Sequence, residues 1–359
     1  MNPARVVVAM SGGVDSSLAA ALVAETGVET IGVTMHLAGS GSRCCSLDDA
    51  DDARRVAERL GIKFYVANYT EEFRKEVIEP FADAYLAGET PIPCVTCNKR
   101  FKFDHLLERA KVFGADRVAT GHYARLDCDP TTGRMRLWRA LDDDKDQTYF
   151  LFQLDQEQLE RAWFPLGELR KSQVRERARA LGLATADKPE SQEICFVPDG
   201  DYARVVESIR PAATERGGEI VDAGGRVLGR HDGVHRFTVG QRKGLGIASS
   251  EPRYVTRLEP ASRRVVVGSR SEIETRRARV CQVSWVAGAA PRTARRARVR
   301  VRYRHAGALA VVEPVGGGEV RVQFEEPVAA VSPGQAAVFY DAERGEELLG
   351  GGWLARNAS

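Results

Sequence analysis

Three groups of residues in this chain have the types and spacing to do chemistry. The first is Ser11-Gly12-Gly13-Val14-Asp15-Ser16-Ser17, set between an apolar β-like run and a helical one. Two glycines let the backbone turn tightly, so successive N–H groups and the following helix N-terminus can face an anion, while Ser16 and Ser17 add hydroxyls. The same residues equally suit a plain glycine turn with a serine or aspartate cap. The lysine of the Walker A motif is missing, so γ-phosphate transfer by this loop is not supported. The second group is sulfur. Cys94 and Cys97 stand in Pro91-Ile92-Pro93-Cys94-Val95-Thr96-Cys97-Asn98-Lys99. Asn98 is placed to cap a helix marked by Phe101, Leu106 and Leu107, and a thiol near that helix end and Lys99 and Arg100 favours the thiolate. A lone CxxC falls short of the four ligands of a closed zinc site, and Cys44 and Cys45 are adjacent rather than a second such pair, so no residue is assigned as a metal ligand. Far downstream, Cys195 between Ile194 and Phe196 reads either as a small buried hydrophobe or as a nucleophile. The other cysteines, Cys44, Cys45, Cys128 and Cys281, are read as structural or incidental. The third group is basic: residues 276–304 hold ten arginines and no acid. In Arg298-Val299-Arg300-Val301-Arg302-Tyr303-Arg304 a period of two puts the apolar residues on one face and four arginines on the other. Such a stripe suits phosphates, with Arg300 and Arg302 each expected to neutralise about one; it also suits a solvated face.

These residues need elements to position them. From residue 5 to about 120, β-branched runs (Val6 to Met10, Thr30 to Met35, Ile62 to Val66, Arg117 to Thr120) alternate with amphipathic stretches, which predicts a doubly wound parallel sheet covered by helices. One helix is expected over Leu47 to Leu60, with Asp48, Asp49, Asp51 and Asp52 in its first turns, where the helix dipole favours negative charge. Residues 122–140 read as a hairpin around Asp129-Pro130-Thr131-Thr132-Gly133, followed by helices near 155–163 and 172–181. After about residue 210 short strands and glycine turns take over, the composition of small β domains and barrels. The expected division is 1–205, 206–275 and 276–359.

At 359 residues the chain is long enough for two or three domains. Its 43% hydrophobic and 28% charged content exclude a disordered or fibrous class. A formal charge of only +2 means that attraction to nucleic acid must come from local segregation of charge. No apolar run approaches the ~18 residues of a membrane span, and the N-terminal run is too short for a signal peptide, so a cytoplasmic location without membrane contact is expected. Seven cysteines, an odd number, fit reduced or catalytic thiols better than a disulfide framework.

The heptapeptide resembles the PP-loop of ATP pyrophosphatases, which cleave ATP between the α- and β-phosphates. Together with Cys97-Asn98-Lys99, Gly121-His122-Tyr123, Lys145 to Leu151, Ile194-Cys195-Phe196, Gly240 to Gly246 and Pro333-Gly334-Gln335, in that order, it makes the chain similar to the bacterial tRNA-specific 2-thiouridylases from residue 5 to about 352. The resemblance implies an α/β PP-loop domain with a doubly wound parallel sheet, a small β-rich central domain and a C-terminal β-barrel. It implies ATP bound by Ala9, Met10, Ser11, Gly12, Gly13, Val14, Asp15 and Ser16, with Met35 and Gly121, and Mg²⁺ accompanying the polyphosphate. It implies Cys195 as the persulfide carrier and Cys97 as the second thiol. It implies tRNA contacts at His122, Lys145, Asp146, Gln147, Arg302, Tyr303 and Gln335, and a persulfide sulfur-donor protein as partner. Cys94 departs from relatives that carry an aspartate there, and is read as passive. From the residues alone, His122 also suits a hydrogen-bonded structural role. An amidating synthetase, a 2-thiocytidine-type enzyme with an iron–sulfur cluster and an RNA-binding scaffold are the competing readings; the first does not need paired distant thiols, and the scaffold leaves the intact loop unexplained.

Overall fold

The computed structural model describes residues 5–37, 47–190, 194–214 and 217–356. Cys44, Cys45 and the segment Ser191 to Glu193 lie outside the described residues.

Strands β1 (Arg5–Ala9), β2 (Glu29–His36), β3 (Lys63–Asn68) and β4 (Arg117–Ala119) follow the four apolar runs. The hairpin is β5 (Ala124–Cys128) and β6 (Met135–Arg139), and a two-residue strand β7 (Ala162–Trp163) follows a helix over Gln156–Arg161. The first sheet runs β3-β2-β1-β4-β7, with every pairing parallel. In β1 the run Val6-Val7-Val8 is wholly buried: Val7 enters one core cluster and Val6 and Val8 another. Alternate side chains of a strand face opposite ways, so a strand with helices on both faces reads as continuously apolar.

The middle sheet holds β8 (Gly218–Val221), β9 (Val227–His231), β10 (Tyr254–Glu259) and β11 (Arg264–Gly268), in the order β10-β11-β8-β9. The last sheet holds β12 (Glu274–Trp285), β13 (Arg295–Arg300), β14 (Ala308–Gly316), β15 (Glu319–Ala329), β16 (Ala336–Asp341) and β17 (Glu347–Leu354). Pairing of β12 with β17 closes these six strands into a barrel around Val280, Val299, Val312, Val322, Phe324 and Phe339.

Two features differ from what the sequence alone conveys. The β5–β6 hairpin joins the barrel sheet rather than the first one, because β6 pairs with β17 (Leu348 opposite Leu137). The continuous arginine stripe does not form either. Val299 and Val301 are buried as the period requires, but β13 ends at Arg300 and the chain turns. Arg302 and Arg304 are exposed there, whereas the Arg300 side chain is only 12% exposed and pairs with buried Asp146 at 3.1 Å.

Leu137 and Leu348 are fully buried, so Leu137→Ala should cost about 2–5 kcal/mol in denaturant unfolding. Because the two residues face each other across β6 and β17, adding Leu348→Ala should cost less than the sum of the single changes.

Candidate active site

Chain order and sheet order diverge around β1: the chain passes from β1 to β2 on one side and returns through β4 on the other. In open parallel sheets a crevice forms at the carboxyl ends of strands at such a point. Residues 9–16 and Gly121 meet there. Gly12 has φ +70°, and a Cβ on it would sit 2.2 Å from the Asp49 carbonyl oxygen. A Cβ on Gly121 would lie 2.7 Å from the Ser16 nitrogen and 2.8 Å from the Asp15 carbonyl carbon. Backbone therefore packs on backbone at both positions, and neither admits a side chain without movement.

The Ser16 hydroxyl accepts from the Ser11 N–H (3.0 Å) and donates to the Gly13 carbonyl (3.1 Å), and the Ser17 hydroxyl donates to the same carbonyl (2.8 Å). Both hydroxyls thus fold the loop. The helix Val14–Glu25 starts at Gly13 with no side-chain cap, which leaves its first N–H groups for an anion. Met10 and Met35 are buried in the two core clusters at the ends of β1 and β2, and Ala9 is half-buried.

A ring of charges surrounds the loop. Asp15 accepts two hydrogen bonds from Lys171 (2.7 and 2.8 Å) and one from the Tyr123 hydroxyl (2.8 Å). Burial and the neighbouring Asp15 push the Tyr123 hydroxyl well above the usual phenol range. Glu190 gathers Lys145 (2.7 Å), Lys171 (3.0 Å) and Arg175 (3.5 Å). Burial pushes its carboxyl up, but hydrogen bonds from Lys145 and Lys171 outweigh this and hold it at about 2. Lys188 reaches the Gly12 carbonyl (3.1 Å), Asp49 (2.7 Å) and Asp52 (2.6 Å). Burial opposes its charge, and the two carboxylates raise it above the ordinary lysine value. Sequence reasoning missed Lys171, Arg175, Lys188 and Glu190, because nothing local ties a lysine on a distant helix to this loop. It also read Asp49 and Asp52 only as helix-dipole partners.

Pro93 begins a helix over Pro93–Thr96 that runs on as a π-helical stretch, Cys97–His105. The helix therefore starts five residues before Asn98, which caps nothing, and Cys97 lies a turn inside rather than at the end. Proline suits the first helical position, and this sets the earlier start. Asn98 instead donates to the Phe150 carbonyl (3.2 Å) and pairs with His122 (3.2 Å). Cys94, Cys97 and Cys195 are half-buried, and all three pack against the same core cluster. Phe196 anchors the downstream segment, with its ring against Phe73 and Phe81. Cys281 is half-buried, its thiol donating to the Trp353 carbonyl (3.4 Å), and Cys128 is exposed. Among the described residues no group of three or more His, Cys, Asp or Glu side chains could hold a metal.

The residues expected to meet tRNA occupy several environments. Lys145 and Gln147 are half-buried, Lys145 pairing with Glu190 in the charged ring and Gln147 accepting from the Tyr123 N–H (2.9 Å). Asp146 is 1% exposed. His122 is buried between Thr120 (2.8 Å), Asn98 and Lys102 (3.3 Å), and burial, then Lys102, push its pKa well below the ordinary value. Tyr303 packs its ring on Phe150. Gln335 donates to the Thr90 carbonyl (2.9 Å), docking the barrel beside the segment that carries Cys97.

Comparison with known proteins fits this arrangement. Residues 4–199 match the family described as tRNA methyl transferase HUP domain, 207–269 its PRC-barrel domain and 275–354 the aminomethyltransferase beta-barrel domain. The tRNA-specific 2-thiouridylase MnmA of Acidobacterium capsulatum is 51% identical over 370 residues, covering 97% of this chain and 98% of that protein. That of Solibacter usitatus is 51% identical over 368 residues, with the same coverage. This chain belongs to the tRNA-specific 2-thiouridylase family. Among solved structures, NMN synthetase from Francisella tularensis overlaps 58% of this chain and 78% of its own at 21% identity and a TM-score of 0.32, which adds nothing to the family match. In this 2-thiouridylase family member no described helix is long and apolar enough to cross a membrane.

If the loop at residues 9–16 holds a nucleotide, Gly12→Ala should weaken ATP binding roughly ten-fold or more, about 1.4 kcal/mol, in calorimetric titration. Glu190, with its depressed pKa, contributes stability that is fully present above the ordinary value of 4.5 and is lost as pH falls through about 2. The stability gap between the parent protein and Glu190→Gln, measured by chemical unfolding, should hold constant between about pH 5 and 7 and close as pH falls from 4.5 toward 2.

Proposed function

We propose that this protein thiolates the wobble uridine of tRNA at C2, using ATP to activate the base oxygen and a cysteine persulfide to deliver sulfur. The observation that carries the reading is the uncapped helix N-terminus behind the close-packed loop at residues 9–16, with Lys145, Lys171 and Lys188 around it, an arrangement that suits an anion. Residues 9–16, with Met35 and Gly121, would hold ATP. Mg²⁺ would arrive with the nucleotide, and no step is assigned to it.

The C2 oxygen of uracil is a poor leaving group. Its attack on the α-phosphorus breaks the bond to the β-phosphate, forms an O2-adenylate and expels pyrophosphate. The terminal sulfur of a persulfide on Cys195 then attacks C2 and displaces AMP. Cys97 thiolate attacks the Cys195 sulfur, so that a Cys97–Cys195 disulfide forms and one sulfur stays on the base; alternatively, Cys97 frees the sulfur first, as hydrosulfide. An external thiol reductant returns two electrons to the disulfide. Both thiols pack against the same core cluster, and the segment after Cys195 is tied to the Cys97 helix through Phe196, whose ring meets Phe73, which in turn meets Phe101. Cys94 sits nearer the helix start and takes no part. His122, Lys145, Asp146, Gln147, Arg302, Tyr303 and Gln335 would contact or position tRNA, and a persulfide-bearing donor protein would load Cys195. The division at 1–205, 206–275 and 276–359 and a cytoplasmic location complete the reading.

Turnover should release AMP and pyrophosphate in step with thiolation, as chromatography of labelled ATP products would show; ADP and phosphate without AMP would exclude the reaction. Cys195→Ser should accept no sulfur from a persulfide donor, whereas Cys97→Ser should be loaded on Cys195 and then stall. Peptide mapping without reductant reads both outcomes, and label found on Cys97 alone in the parent protein would reverse the roles.

A further inference from the structure

Asp146 is an acid in a segment expected to meet RNA, and its carboxylate is already fully engaged. Its Oδ2 accepts from Arg139 Nε (3.2 Å) and Arg300 Nη1 (3.1 Å), and its Oδ1 accepts from the Thr148 hydroxyl (2.8 Å) and the N–H groups of Thr148 (3.3 Å) and Ala140 (3.4 Å). Arg300 comes to it from the end of β13. Its guanidinium lies 5.7–5.9 Å from the ring centres of Tyr149, Tyr303 and Tyr340, and it also donates to the Tyr303 carbonyl. Thr148 and Tyr340 hydroxyls meet at 3.1 Å across the same junction.

A buried ion pair is a weak source of stability, because desolvation consumes much of its attraction, and in some proteins such a pair serves instead to fix geometry. Here one buried donor, Arg300 Nε, even goes unpaired, a cost that packing alone would have avoided by using an apolar side chain. What the pair fixes is visible on either side of Asp146. Lys145 reaches Glu190, and Gln147 holds the Tyr123 N–H, while the Tyr123 hydroxyl donates to Asp15 in the nucleotide loop. On the barrel side, Arg300 leads directly into the exposed turn with Arg302 and Arg304.

We infer that Arg300 and Asp146 form a positioning pair that locks Lys145 and Gln147 against the nucleotide loop and ties them to the barrel, so that RNA seated at the 302–304 turn is held in register with ATP. The inference rests on the proposed function for its substrates and on the geometry for the lock itself. Arg300 is thereby a positioning residue rather than a phosphate ligand.

The test uses the full chain with Arg300→Met, Arg300→Lys and the double change Arg300→Met with Asp146→Asn. In Arg300→Met, hydrogen exchange over residues 142–150 should rise at least ten-fold, and kcat for tRNA-dependent AMP release should fall at least ten-fold. The KM for ATP should stay within two-fold, and the salt slope of tRNA binding should be unchanged. Arg300→Lys, which keeps the charge, should recover part of the exchange protection and of kcat. The double change, which also removes the carboxylate charge left with Arg139 as its remaining cationic partner, should regain thermal stability without regaining kcat. A salt slope lower by about one, with exchange and kcat unchanged, would make Arg300 a phosphate ligand and overturn the inference. So would recovery of kcat together with stability in the double variant. If the parent protein releases no AMP, the functional reading fails, and the exchange measurement still decides the lock.

Discussion

The site depends on a contact between backbones. Gly121, just beyond β4, lies against the Asp15–Ser16 peptide, and Gly12 lies against the Asp49 carbonyl. These contacts fix where the helix Val14–Glu25 begins relative to the ends of β1 and β4. That in turn aims the helix N-terminus into the crevice where strand order reverses, the place at which partial positive charge is most useful to an anion. The Ser16 and Ser17 hydroxyls tighten the loop from inside rather than reaching out, so in the proposed function recognition of the nucleotide falls to backbone N–H groups and to lysines from elsewhere.

Those lysines arrive already paired. Lys171 is shared between Asp15 and Glu190, Lys145 is held by Glu190, and Lys188 by Asp49 and Asp52. For the half-buried Lys145 and Lys188 the carboxylates favour the charged form against the opposing effect of burial, and all three lysines are held in place. In the proposed reaction an entering polyphosphate competes with these carboxylates, so the site is preorganised in charge as well as in shape.

Much of this was legible in the chain. The loop at 11–17, the four parallel strands, the hairpin and the β-rich second half follow from local spacing, because burial on both faces, turn chemistry and the period of a strand are written in neighbouring residues. What escaped is non-local. The partner of the hairpin, some 200 residues away in β17, leaves no trace in the hairpin itself. Lys171, Lys188 and Glu190 look like ordinary surface residues until the fold brings them to the loop. Arg300 was assigned by alternation to an exposed stripe, and alternation held for Val299 and Val301. It could not foresee that a buried acid from the 145–150 segment would draw that one guanidinium inward. Asn98 was misread because the proline five residues upstream had already started the helix.

The central claim is that ATP activates the oxygen that sulfur replaces. tRNA carrying ¹⁸O at C2 of the wobble uridine tests it directly, by mass spectrometry of the AMP formed in a single turnover. Adenylation of that oxygen predicts one ¹⁸O in the AMP phosphate for each thiouridine made. AMP of ordinary mass accompanying thiolation would contradict the account.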